Sequence, residues 1–179
     1  AGQTLGIAAG LPSWGGGGVS VLSQVATAYG VANIATEKEI FNVAVPAGTL
    51  GDHNRVDFEI VGYQQITANG ITFRVYYGGG AALLNVTPAA AVVAASSYAI
   101  LRGSVTAHGA TNVQNAHLEV LVSSGISGGT LPTLHAGDTG LGAADSTVAQ
   151  QLVITAQPTT AAETNNFTRT HAIARSWSS

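Results

Sequence analysis

Residues 37–51 read Glu37-Lys38-Glu39-Ile40-Phe41-Asn42-Val43-Ala44-Val45-Pro46-Ala47-Gly48-Thr49-Leu50-Gly51. Within it Ile40, Asn42 and Ala44 alternate with Phe41, Val43 and Val45. A period of two marks a strand with one buried face, and a proline followed by two glycines stops that strand at a corner. The same grammar recurs outward from this stretch. Val56, Phe58 and Ile60 oppose Arg55, Asp57 and Glu59 in the next segment. Ile71 to Tyr77 alternates again, with Arg74 on the outer face, and ends in Gly78-Gly79-Gly80. No lysine and no helix follows that triplet, so it reads as a hairpin turn and not as a phosphate-binding loop.

Further strands are expected over residues 82–87, 98–108, 116–123, 151–156 and 167–175. Residues 89–97 allow either a turn or two of helix or a covering loop. With about eight strands, regular turn signals and no long helical pattern, the fold expected is all-β. It is an antiparallel β-sandwich, jelly-roll-like, with an extended Gly-rich N-terminal leader. Residues 1–35 are read as the leader or anchoring arm, with an edge strand or arm from Val19, and residues 36–179 as the sandwich domain. A glycine-rich, polar break over residues 124–146 is long for a compact domain, and such loops usually carry contacts. Leu131, His135 and Asp138 are its candidate contact residues.

Composition narrows the function. Only 8% of residues are charged, against about 25% in an average globular protein. The surface must therefore be covered by Thr, Ser, Asn and backbone, which desolvate cheaply against neighbouring subunits. A net charge of −3 with six Lys and Arg provides no basic stripe for a phosphate backbone, so no nucleic-acid partner is expected. No run of about 18 apolar residues exists, so no membrane-spanning helix is expected. Cysteine is absent, which removes disulfides, thiolate metal sites and cysteine catalysis.

Catalytic and metal readings find little to rest on. His53, His108, His117, His135 and His171 lack the spacing of a zinc motif. The plain reading sets His108, His117 and His171 on polar strand faces and His53 and His135 at loop caps. Asp57 and Glu59 share a strand face with Arg55, and Arg74 is a further expected partner; this is a charge ladder and not an acid–base pair in a cleft. No nucleophile elbow occurs. No catalytic residue, metal or cofactor is expected. Of Tyr76 and Tyr77, one is expected in the core and the other outside, where with Tyr63 or Trp177 it could stack on a sugar ring.

One resemblance reaches across most of the chain. Gly2-Gln3-Thr4-Leu5 followed by Gly10-Leu11-Pro12-Ser13-Trp14 resembles an element that recurs in tail-fibre and other virion proteins of tailed bacteriophages, often just before a glycine linker such as Gly15 to Gly18. The Val-x-Val-Pro-Ala strand end with its Gly-Thr-Leu-Gly corner is similar to the start of a β-sandwich domain in the same proteins. Ile71 to Gly80, and Asp145-Ser146-Thr147 leading into Leu152-Val153-Ile154-Thr155, continue the likeness. The resemblance implies a non-enzymatic virion structural protein, a homotrimer that assembles with itself and other virion proteins. Leu5, Ile7, Leu11, Pro12 and Trp14 would serve assembly and anchoring. Two placements compete, a tail fibre or spike and a capsid decoration protein on the capsid surface. The alternative is a carbohydrate-binding sandwich that recognises a receptor or host-surface glycan.

Overall fold

The structure is a computed structural model and describes residues 4–8, 11–15, 18–66, 70–88, 93–122, 133–159, 161 and 166–178. Thirteen strands make up its regular elements: β1 (Thr4–Ala8), β2 (Leu11–Gly15), β3 (Val19–Val25), β4 (Tyr29–Ala32), β5 (Lys38–Val45), β6 (Arg55–Ile66), β7 (Ile71–Tyr77), β8 (Leu84–Val86), β9 (Val93–Ala107), β10 (Gln114–Val122), β11 (Thr133–Gly142), β12 (Gln150–Pro158) and β13 (Asn166–Trp177). There is no helix among the described residues. The larger sheet runs β11-β10-β9-β6-β13-β3, with β4 also on β13, and the smaller runs β5-β12-β7-β8. All pairings are antiparallel.

The order of pairing defines the winding. β7 pairs with β8, β6 with β9, β5 with β12 and β3 with β13. The chain thus runs out along β3, β5, β6 and β7 and returns along β8, β9, β12 and β13, as one antiparallel ribbon coiled into two sheets. That is the winding of a jelly roll. The hairpin β10–β11 extends the large sheet beyond β9, which raises the strand number above the eight of the ribbon.

Alternation in the sequence becomes the core. Phe41, Val43 and Val45 of β5, Phe58 and Ile60 of β6, and Leu152 and Ile154 of β12 are all buried between the sheets. Phe73 of the small sheet and Phe167 of the large one meet edge to face, with centroids 5.3 Å apart. This geometry suits the ring quadrupoles and ties the two sheets directly.

Two expectations are revised. The break over residues 124–146 is not one loop, because Thr133–Gly142 is strand β11, paired along its length with β10. His135 and Asp138 therefore lie in a strand, and Leu131 falls outside the described residues. Gly140, one of the glycines that made this segment read as a loop, has a packing reason. A methyl group on Gly140 would sit 2.0 Å from the carbonyl oxygen of Leu83, so only glycine lets β11 close against the β7–β8 connection. Second, residues 93–97, placed in a helical turn or loop, begin the long strand β9; Val93 pairs with Ile66. β3 and β4, inside residues 1–35, are hydrogen-bonded to β13 in the large sheet, with β3 at its edge.

Where the turns of both sheets meet, a fully buried glutamine joins them. Gln114 Nε2 donates to the carbonyls of Thr111 at 3.0 Å and Ala144 at 2.8 Å and to Ser146 Oγ at 3.1 Å. Its Oε1 accepts from the Ala144 amide at 2.9 Å. Ser146, also buried, receives the Gly48 amide on its carbonyl at 2.8 Å. One side chain thereby fixes the β9–β10 turn and the lead into β12, and through Ser146 the corner after β5.

Replacing Gln114 by leucine strands several of these groups in a dry site, where each lost partner costs about 1–3 kcal/mol. Urea denaturation should show Gln114→Leu less stable by about 3 kcal/mol; a loss under ~1 kcal/mol would refute the staple. Gly140→Val should cost about 2–3 kcal/mol through overpacking against Leu83, read in the same titration.

Candidate functional site

Two broad surfaces remain outside the core, one per sheet. On the small sheet, register places Val153 between Asn42 and Tyr76, and Thr155 between Glu39 and Arg74. Gln151 and Gln157 flank them on the same strand face. Tyr77 turns the other way and is buried, so Tyr76 is the outward ring.

Glu37, just before β5, reaches over this face. Its carboxylate accepts from Tyr76 Oη at 2.7 Å and from Thr155 Oγ1, and lies 3.2 Å from Arg74 Nη1. Arg74 Nη1 also donates to Gln157 Oε1 at 2.7 Å, and Gln157 Nε2 donates to the Ala35 carbonyl at 2.8 Å. Five side chains from β7, β12 and the segment entering β5 are locked into one network. Burial pushes the Glu37 carboxyl up, but the hydrogen bonds from Thr155 and Tyr76 and the charge of Arg74 outweigh it and hold the group below its ordinary value. Burial, followed by the bond to Glu37 and its negative charge, pushes the Tyr76 hydroxyl up. Beside the network lies a groove of about 410 Å³, lined by Glu37, Glu39, Tyr76, Gly79, Gln151 and Val153 among others.

The outer face of the large sheet differs. Arg55 Nε meets Asp57 Oδ1 at 2.8 Å, Arg102 Nε meets Glu59 Oε2 at 2.7 Å, and His117 Nε2 lies 3.4 Å from Glu119 Oε1. Glu59, Arg102 and Glu119 stand in one register row across three strands. The expected ladder is present, but Glu59 takes Arg102 as its partner, and Arg74 sits on the other sheet with Glu37. Such half-exposed pairs contribute about 0–1 kcal/mol each and form a solvated face. Beyond the ladder the face turns apolar, with Val61, Ile100 and Leu121 in one row and Tyr63 packed edge-on against Tyr98, centroids 5.7 Å apart.

The anticipated sugar-stacking partners of Tyr76 are not beside it. Tyr63 and Trp177 lie on the large sheet, where the Arg55 guanidinium covers the Trp177 ring at 5.2 Å from its centroid. His53 is near Asp52 at 3.8 Å in the turn before β6, and His135 is in β11 and not at a loop cap. Among the described residues no three His, Asp or Glu side chains gather to hold a metal, and no helix is long and apolar enough to cross a membrane.

The leader residues fall in a hairpin. β1 and β2 form a two-stranded sheet of their own, with Leu5 opposite Trp14 and Ile7 opposite Pro12. Leu11 stands opposite Ala8. The Glu37 network escaped the sequence reading because Glu37 precedes the alternating run and its partners lie far along the chain. The usable signal was two pairs at i, i+2 spacing on outward positions, Arg74 with Tyr76 and Thr155 with Gln157.

No protein-family model matches the chain, and no curated protein matches it. Among solved structures, the chain is similar to chains in the structures of infectious bursal disease virus, Gx strain and Gt strain. Each has 10% sequence identity and a TM-score of 0.31, and each match covers 98% of this chain and 46% of that chain. The chain spans about half the length of those chains.

The Glu37 network gives a pH prediction. A carboxylate held below its ordinary value of 4.5 contributes stability that is present above that value and is lost as pH falls through the lowered one. Thermal melts of the wild type should therefore fall in this acid range, and Glu37→Gln should flatten that part of the profile. Equal acid sensitivity in both proteins would exclude Glu37 as its source.

Proposed function

We propose that the chain is a structural protein of a tailed-phage virion, a homotrimeric subunit that acts by assembly and not by catalysis. The observation that carries this reading is the hairpin β1–β2, which among the described residues is hydrogen-bonded to neither sheet of the sandwich. An isolated two-stranded hairpin is at best marginally stable in water. One whose register pairs Leu5 with Trp14 and Ile7 with Pro12 gains most by being buried against a neighbouring subunit. The low charge of the whole chain supports the same reading, since few groups need desolvating when copies meet. The phage and the trimer rest on the resemblance to tailed-phage virion proteins, which runs from residues 2–14 through the strands of the sandwich. As a tail fibre or spike, the protein would turn its sandwich toward a host surface; as a decoration protein, it would clamp capsid subunits through the hairpin.

Gold-labelled antibody against the sandwich, imaged on intact particles from the source, tests this reading. Label over the head identifies a decoration protein and label at the tail a fibre or spike. Particles without label would overturn the virion reading, and a monomer mass in light scattering would overturn the trimer.

A further inference from the structure

The groove on the small sheet has features that a solvated strand face lacks. Its aromatic ring is held in place from behind: the Tyr76 hydroxyl is committed to Glu37, and Glu37 is in turn held by Thr155 and Arg74. What Tyr76 has left to offer a ligand is its ring and the acceptor side of its oxygen. Val153, next to it in register, extends an apolar surface. Around this surface stand polar groups with capacity to spare. Gln151 is exposed, and its side chain makes no hydrogen bond among the described residues. Glu39 receives only a 3.3 Å bond from Asn42, also exposed. Gly79 presents open backbone, since a methyl group there would meet nothing within 4 Å.

We propose that this groove binds a neutral saccharide, one unit or two of a surface glycan. A pyranose is amphipathic, with a C–H face that packs on an aromatic ring and an edge of hydroxyls that need both donors and acceptors. Tyr76 and Val153 match the face. The Gln151 amide and the Glu39 carboxylate match the edge. The volume, about 410 Å³, lies at the small end of ligand sites, which run from roughly 300 to 1,000 Å³. Charge excludes the anionic class, because an anion meets the unneutralised Glu39. A cation would find one free carboxylate, since Glu37 is already neutralised by Arg74 at 3.2 Å, and nothing for its charge on the Tyr76–Val153–Gln151 side of the groove. A neutral ring uses the apolar surface and the polar edge together, and the locked network spares it the entropy of ordering the Tyr76 side chain.

This inference builds on the virion reading only for where the glycan is met; saccharide binding without particle label would refute that reading and leave this one standing. The experiment applies the full chain to an immobilised panel of neutral, sialylated and sulfated oligosaccharides, with affinities then measured by calorimetry on the best member. The result expected is binding to neutral members, weakened at least tenfold by Tyr76→Ala and by Gln151→Ala. Tyr76→Phe, which keeps the ring, should lose less than Tyr76→Ala. Arg102→Ala on the other sheet should bind as the wild type does. Gln151 is exposed, so Gln151→Ala should melt as the wild type does and serves as the test if Tyr76→Ala fails to fold. Binding confined to acidic members, displacement by polylysine, no binding at millimolar saccharide, or an unchanged affinity in Gln151→Ala would each overturn the proposal.

Discussion

The buried amide of Gln114 is the constraint on which the arrangement of the two sheets depends. A jelly roll is one ribbon wound twice, and nothing in the ladders themselves fixes how the ends of one sheet sit over the other. Gln114 begins β10 in the large sheet, while the carbonyls and amide it holds belong to the β9–β10 turn and to the segment that enters β12 in the small sheet. Ser146 passes the connection on to Gly48, after β5. A fully satisfied polar side chain in a dry site is worth little in net energy and much in definition, because every alternative arrangement leaves several groups without partners.

That definition reaches the outer surfaces. β12 lies between β5 and β7, so a fixed entry to β12 fixes the row in which Tyr76, Val153 and Asn42 stand side by side. Glu37 then closes over the row from the segment that enters β5. The Tyr76 ring is thus positioned by contacts from three strands' worth of sequence, although Tyr76 itself is an ordinary outward residue of a half-buried strand.

The strands β6 and β7, and β5 from Phe41 onward, were legible because one face of each is buried and the other is not, and period two leaves a single way to bury them. Ile40, set by alternation with Asn42 and Ala44, is instead buried beside Phe41 where the β5–β12 register shifts. β9 was legible only from Tyr98 onward. Its first residues, Val93-Ala94-Ala95-Ser96-Ser97, are mostly small and follow Pro88 closely in the sequence, so local propensity said little and pairing with β6 decided. β11 was hidden for a related reason: Gly137, Gly140 and Gly142 give the composition of a loop, and the approach of the Leu83 backbone, which explains the glycine at Gly140, is invisible in the sequence. The groove on the small sheet was legible in part. Sequence named Tyr76 and Tyr77 as a pair facing opposite ways, but which faced outward, and that Arg74 would turn to Glu37 instead of Glu59, depended on contacts between residues more than 35 positions apart, which no local pattern encodes.

The Gly140 contact also bears on how copies of this chain behave when crowded. A sandwich has exposed strand borders, and a free border is a template for unwanted pairing with another molecule. Here β8 is only three residues long and its side of the molecule is closed by β11 at Gly140, while on the opposite side Arg169 of β13 donates to the Ile40 carbonyl of β5 and to the Thr27 carbonyl. With a net charge of −3 spread over 179 residues, Coulomb repulsion does little to hold copies apart. Resistance to runaway polymerisation at high local density therefore falls to these two seams, and the sheet faces and the hairpin are left as the routes by which one copy can meet another.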